Sequence, residues 1–241
     1  MPIVRLGSKI AHYIHIPKCG GSSIEEYLSK IDGSKIAFLD KGFASVERPW
    51  SNSSPQHIDG SSCERLFPVD FFDSTFAVVR NPLDRFWSAF NHKRLKTVDI
   101  DEGQCPDEFV QNELQWRAFQ RGWMDNHFLP QCQFIPHGIH FTYFKLENGL
   151  DRVKTFIDQT LVGDELSIAM PHVEQAAAQH SSNVLANSLS VESIERLFSI
   201  YADDFFNFDY SVEDTVKQMF LNAAEPSYSK QATSHMAVMG I

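Results

Sequence analysis

His15-Ile16-Pro17-Lys18-Cys19-Gly20-Gly21-Ser22-Ser23-Ile24 is the stretch on which the reading of the chain turns. An apolar, β-prone run over residues 11–16 leads into it. Ile24, Tyr27, Leu28 and Ile31 follow at i, i+3, i+4 and i+7, the spacing of one helical face. The pattern predicts a strand, a glycine turn and a helix N-terminus. Two glycines let the backbone approach a ligand closely. The first N–H groups of a helix and its positive end favour an anion. Lys18 adds a point charge, and Ser22 and Ser23 add hydroxyl donors. The stretch therefore reads as a phosphate or sulfate site. An ordinary strand-to-helix turn with Lys18 in solvent accommodates the same residues.

A second unit of the same build follows. Residues 75–79, Thr-Phe-Ala-Val-Val, form a mostly apolar run of the length expected for a strand buried on both faces of a parallel sheet. Arg80-Asn81-Pro82-Leu83-Asp84-Arg85-Phe86-Trp87-Ser88-Ala89-Phe90 comes directly after it. Asn81 suits an N-cap, Pro82 suits the first helical position, and Asp84 complements the helix's positive end. Two strand–turn–helix units on one parallel sheet bring both turns to its carboxyl edge, where open α/β sheets bind ligands. Arg80, at the end of a buried strand, has a planar fork suited to phosphate. Ser88 falls nearly two turns into the helix, roughly 10 Å along it. Arg80 and Ser88 together could grip one phosphate. Alternatively, Arg80 pairs with Asp84 and Ser88 is a surface hydroxyl. Arg85 reads as a brace of the turn.

The chain has 241 residues, is 43% hydrophobic and carries a formal charge of −10. That length supports one sizeable core, so residues 1–224 are expected to form a single domain and residues 225–241 a poorly ordered tail. The acidic balance argues against a non-specific nucleic-acid or anionic-membrane binder, so an anion site must be locally basic. No apolar run approaches the roughly 20 residues of a spanning helix, and residues 1–10 show no signal-peptide pattern. The four cysteines, Cys19, Cys63, Cys105 and Cys132, are scattered, which points to free thiols in a cytoplasmic protein. Helices are expected over residues 59–66, 107–119, 147–161 and from Ser190. Short strands are expected over 35–39 and 140–145, and irregular chain over 40–57 and 162–189. Trp50, Trp116 and Trp123 read as core anchors that could instead stack on a sugar.

Phosphate-binding loops usually suggest the Walker A order, Gly, four residues, then Gly-Lys-Ser/Thr. Here the lysine precedes the glycines, and Arg80 stands where an acidic metal ligand would follow the second strand. That order disfavours a metal-dependent kinase or NTPase. A nucleotide-binding protein without turnover is the other alternative.

Residues 17–23 resemble the 5′-phosphosulfate loop of sulfotransferases that use 3′-phosphoadenosine 5′-phosphosulfate (PAPS). Residues 80–90 resemble the 3′-phosphate motif of that family, most closely in the branch of heparan- and chondroitin-type carbohydrate sulfotransferases and their bacterial relatives. Gln56-His57-Ile58 with Glu64-Arg65-Leu66-Phe67 resembles the segment carrying the family's base histidine. Pro130-Gln131 with Phe134, residues 144–148 and residues 201–210 resemble its later parts. The resemblance implies an α/β fold, a P-loop-like parallel sheet flanked by helices. It also implies PAPS as co-substrate, no metal, and a hydroxyl-bearing acceptor such as a glycan or small molecule. It assigns Lys18, Cys19, Gly20, Gly21, Ser22, Ser23, Arg80 and Ser88 to the nucleotide, and His57 with Lys18 to catalysis. His15 is left out of the catalytic set, as a strand residue facing its neighbours in the sheet. Cys19 stands where the family usually has threonine, and residues 173–179 lack the cation its lid often carries.

Overall fold

In the computed structural model, residues 1–43, 47, 49–68, 70–171 and 189–221 are described. The chain divides into two compact units, Met1–Arg80 with Gln120–Glu174, and Asn81–Phe119 with Gln175–Ile241.

The first unit contains the whole sheet, in the order β3-β1-β2-β4-β5. Its strands are β1 Ile3–Leu6, β2 Lys9–Ile14, β3 Lys35–Ala37, β4 Ser74–Val79 and β5 Thr142–Lys145. β4 lies between β2 and β5 and is parallel to both, with Ile14 opposite Ala77 and Val79 opposite Lys145. Phe76 to Val79 are buried, as a strand covered on both faces requires. The sheet is mixed rather than wholly parallel, because β1 runs antiparallel to both β2 and β3. Leu6 pairs with Lys9 across Gly7-Ser8, a two-residue hairpin turn in which Gly7 has φ 61°.

Helix α1, Gly21–Lys30, buries the predicted face: Ile24, Tyr27 and Leu28 are fully enclosed. The Tyr27 hydroxyl donates to Asp158. Lys154 Nζ (2.7 Å) and the Leu166 N–H (3.0 Å) also satisfy that buried carboxylate. Asp158 begins a π turn, Asp158–Val162, after the helix Asp151–Ile157, and Val153, Ile157 and Leu161 fill the core from this segment. Helix α2, Gly60–Leu66, is capped by Asp59, whose side chain accepts from the Ser62 N–H.

In the second unit, helix α3, Pro82–Leu95, begins as its sequence dictates. Asn81 Oδ1 accepts from the Leu83 N–H at 3.0 Å, and Asn81 Nδ2 donates to Thr215 Oγ1 at 2.8 Å. Arg85 is wholly buried with its guanidinium 5.6 Å from the Tyr201 ring centre, so it braces a core. The predicted helix over 107–119 is an α turn, Pro106–Phe109, a π turn, Val110–Leu114, and a last short turn, Gln115–Arg117. Ser190 caps Val191–Ile200 through the Ser193 N–H. Trp50 and Trp116 are exposed, not core anchors, whereas Trp123 packs on Phe128. The tail at 225–241, the lid residues 173–179 and most of the irregular stretch 162–189 lie outside the described residues. No helix among the described residues is long and apolar enough to cross a membrane.

His12 of β2 is buried, stacked on Phe72 at 4.5 Å, and neither ring nitrogen has a hydrogen-bond partner. Burial, helped by the nearby positive amino terminus, pushes its pKa down to about 3. The unfolded chain therefore binds a proton that the folded chain refuses, and this stability is lost as pH falls from about 6.5 towards 3. By pH 5 the loss from His12 alone is about 2 kcal/mol. Chemical denaturation at pH 7 and pH 5 checks this: His12→Phe should narrow the difference between the two by about that amount.

Candidate active site

β2 delivers the chain into the predicted loop, and the backbone there is shaped for close approach. Lys18 has φ 69°, and Gly20, the residue capping α1, has φ 82°. Gly20 offers no capping side chain, and the first turn of α1 holds no acidic residue. The Ser23 and Ile24 N–H groups donate to the Gly20 carbonyl at 3.2 and 3.4 Å, and the helix's positive end carries neither a capping side chain nor a first-turn acid. Gly21 is required for a different reason. A Cβ there would lie 1.8 Å from His15 Nε2, so the imidazole occupies the space a side chain would need. Ser22 is exposed, while Ser23 is buried.

The second cation comes from the end of β4. Arg80 is buried, and its Nη1 donates to the Lys18 carbonyl at 3.5 Å, so the two sequence motifs meet. Gln131, wholly buried, holds this junction. Its Oε1 accepts from the Arg80 N–H at 2.9 Å, and its Nε2 donates to the Arg80 carbonyl at 2.8 Å. The Cys19 thiol, also wholly buried, donates to the same Oε1 at 3.5 Å. Cys19 thus ties the loop to the Gln131 segment by its side chain.

His57 ends a 3₁₀ turn, Pro55–His57. Its Nδ1 lies 2.7 Å from Asp125 Oδ2, and its carbonyl accepts from Asn126 Nδ2 at 2.8 Å. Asp125 also accepts from Ser54, at 2.6 Å from the N–H and 2.9 Å from the hydroxyl. Burial disfavours its charge, but the His57 contact and the Ser54 bonds outweigh it and hold the carboxyl down at about 2. Both groups come from a rare backbone feature. Met124, Asp125 and Asn126 have φ 46°, 56° and 60°, three successive left-handed residues without glycine, each costing about 1 kcal/mol or more. His15 lies edge-on to His57, 4.9 Å between ring centres, with its Nδ1 2.8 Å from Glu25 Oε1. Burial drives His15 down to about 4 against the opposing effect of Glu25.

Against known protein families, the model described as "Sulfotransferase family" matches residues 6–211. The chain belongs to the sulfotransferase family. Neither the curated proteins nor the solved structures contain a significant match.

In this sulfotransferase, Lys18, Cys19, Gly20, Gly21, Ser22 and Ser23 form the turn into α1, and Arg80 adjoins that turn. Ser88 stands half-buried on α3, in the second unit. His57 is buried within a network of Ser54, Asp125, Asn126, His127 and His15. His15 lies one residue beyond β2, its ring stacked on Tyr13 of that strand at 5.3 Å, edge-on to His57 and beside Gly21. Glu25, Asp125 and Gln131 are contributors that the sequence reading did not single out for the site. His57, Asp125 and His127 also bring one ligand-type atom each within 4.8 Å of one another. The His57–Asp125 separation of 2.7 Å is that of a hydrogen bond; two ligands about 2.1 Å from a tetrahedral ion would stand roughly 3.4 Å apart.

Gln131→Leu should expose the value of this junction. It leaves the buried N–H and carbonyl of Arg80 without their side-chain partner, at a cost of about 3 kcal/mol. Equilibrium denaturation measures that loss, and binding of adenosine 3′,5′-bisphosphate should weaken in parallel at temperatures where the variant is folded.

Proposed function

We propose that this sulfotransferase transfers a sulfuryl group from PAPS to an acceptor hydroxyl, with the 5′-phosphosulfate seated on Lys18 to Ser23. The observation that carries the reading is the meeting of an acid-free helix N-terminus with the Arg80 guanidinium, 3.5 Å from the Lys18 carbonyl. A dianionic phosphate suits this arrangement. Backbone N–H groups approach it without a capping side chain in the way, Lys18 offsets its charge, and Arg80 beside the turn supplies a cation for the nucleotide's other phosphate. The overall charge of −10 makes such a locally basic pocket selective rather than generally sticky for anions. Arg80 is assigned the 3′-phosphate on the resemblance of residues 80–90 to the family motif, with Ser88 as its second ligand on the same ground.

In the reaction, Lys18 stabilises charge on the leaving phosphate oxygen. The α1 N–H groups stabilise charge on the equatorial oxygens. His57 takes the proton of the acceptor hydroxyl as that oxygen bonds to sulfur, while the sulfur–oxygen bond to the 5′-phosphate breaks. Adenosine 3′,5′-bisphosphate and the sulfated acceptor leave. The residues supplying this chemistry are cations, backbone and imidazole, so no step calls on a metal. A carbohydrate is the favoured acceptor, because residues 80–90 match the carbohydrate branch best. The described cysteines are free thiols, Cys19 and Cys63 among them buried, which supports a reducing compartment such as the cytoplasm.

Titration calorimetry with adenosine 3′,5′-bisphosphate tests the reading. Binding should be unchanged by EDTA, and Arg80→Ala should weaken it by about 10- to 100-fold, the loss of a charge-assisted contact. His57→Ala should bind the nucleotide nearly as well as the native protein and lose transfer from PAPS. Absence of binding, or binding confined to ATP with magnesium, would defeat the proposal.

A further inference from the structure

We propose that Asp125 is a positioning residue for the reaction: from a left-handed turn at residues 124–126, its carboxylate holds the Nδ1–H of His57 and keeps Nε2 as the proton acceptor. The inference rests on the reading of His57 as the base. Three observations lead to it.

The first is commitment of the carboxylate. Oδ1 accepts from the Ser54 N–H, and Oδ2 accepts from both the Ser54 hydroxyl and the His57 ring. The second is the proton inventory. Asp125 is held ionised down to about 2, and an ionised carboxylate only accepts hydrogen bonds. At neutral pH the proton in the 2.7 Å contact must therefore sit on His57 Nδ1, and the lone pair of a neutral ring must sit on Nε2. The third is the backbone. Three consecutive non-glycine residues at positive φ persist only where surrounding contacts over-determine them. Here Asn126 supplies those contacts, donating to the His57 carbonyl and accepting from the Gly122 N–H at 2.6 Å. The turn thus fixes His57 at two points, its carbonyl and its ring.

The groups facing His57 from the other elements fit this assignment. His127, from the same segment, packs edge-on at 5.1 Å and turns its Nδ1 to the Met124 carbonyl at 3.0 Å. His15, beyond β2, is kept neutral at ordinary pH by burial, with Glu25 of α1 behind it. Asp125 is then the carboxylate in direct contact with the ring when Nε2 takes the acceptor's proton and the imidazolium forms. During that step Nδ1–H stays in place.

Long-range ¹H–¹⁵N NMR on the full-length protein labelled with ¹⁵N-histidine reads the tautomer directly, with His57 assigned from its loss in His57→Gln. Above neutral pH, wild-type His57 should be protonated at Nδ1. Asp125→Asn should shift the ring towards the Nε2–H form. The variant should bind adenosine 3′,5′-bisphosphate within about two-fold of wild type, while sulfuryl transfer from PAPS to an acceptor hydroxyl falls by about 10²-fold. An Nε2–H majority in the wild type, or a tautomer unmoved by Asp125→Asn, would overturn the proposal. The wild-type spectrum decides the matter even if the variant does not fold. Nucleotide binding is scored separately: its absence would count against the PAPS reading, whereas the tautomer counts for or against Asp125.

Discussion

Gln131 spends both ends of its buried amide on the backbone of Arg80, and the site depends on that pair of bonds. β4 must stop where Arg80 leaves the sheet, and there its N–H and carbonyl lose the regular ladder while still enclosed. Each would cost about 1–3 kcal/mol if left unpaired. A single side chain from a distant segment satisfies both and also receives the Cys19 thiol. One residue thereby fixes the exit of the central strand and ties it to the loop at Cys19. A ligand meeting these groups finds them already placed, and preorganisation of this kind is what electrostatic catalysis requires.

The same economy governs the polar interior around α1. His15, Glu25, His57, Asn126, His127 and Gln131 are all buried, in a region where an unpaired polar atom is costly. They are tolerated because each takes part in a network that also does geometric work. The His15 ring fills the space that a side chain at Gly21 would need, so glycine is required at the first position of α1. The strain of the 124–126 turn is offset by bonds to His57 and Ser54.

Local signals in the sequence carried the parts of the fold made by local physics. Asn81-Pro82 announced α3, the i, i+3, i+4 spacing from Ile24 announced α1, and the apolar run before Arg80 announced the central strand. The Leu6-Gly7-Ser8-Lys9 hairpin was also written in the chain, as a glycine-led two-residue turn, yet its flanking strands are short and the parallel pattern dominated the reading. The π turns at Val110–Leu114 and Asp158–Val162 leave helical periodicity nearly intact and so have little signature. Within the site, Lys18, Arg80 and His57 were legible as motif residues. Asp125 and Gln131 were not legible as site residues, because what makes them matter is contact across many positions of sequence. Asp125 reaches His57 through three left-handed residues without a glycine to mark them. His15 was legible as a residue but not as a neighbour of His57, since the chain path beyond β2 decides where its ring goes.

The turn into α1 is proposed as a phosphosulfate site joined to Arg80. Backbone amide shifts of the ¹⁵N-labelled protein, followed during titration with adenosine 3′,5′-bisphosphate, test it most directly. The largest changes should fall on residues 18–24 and on Arg80, with the same pattern in the presence of EDTA. Saturable binding whose shifts map elsewhere, or no shifts in the α1 turn at all, would contradict it.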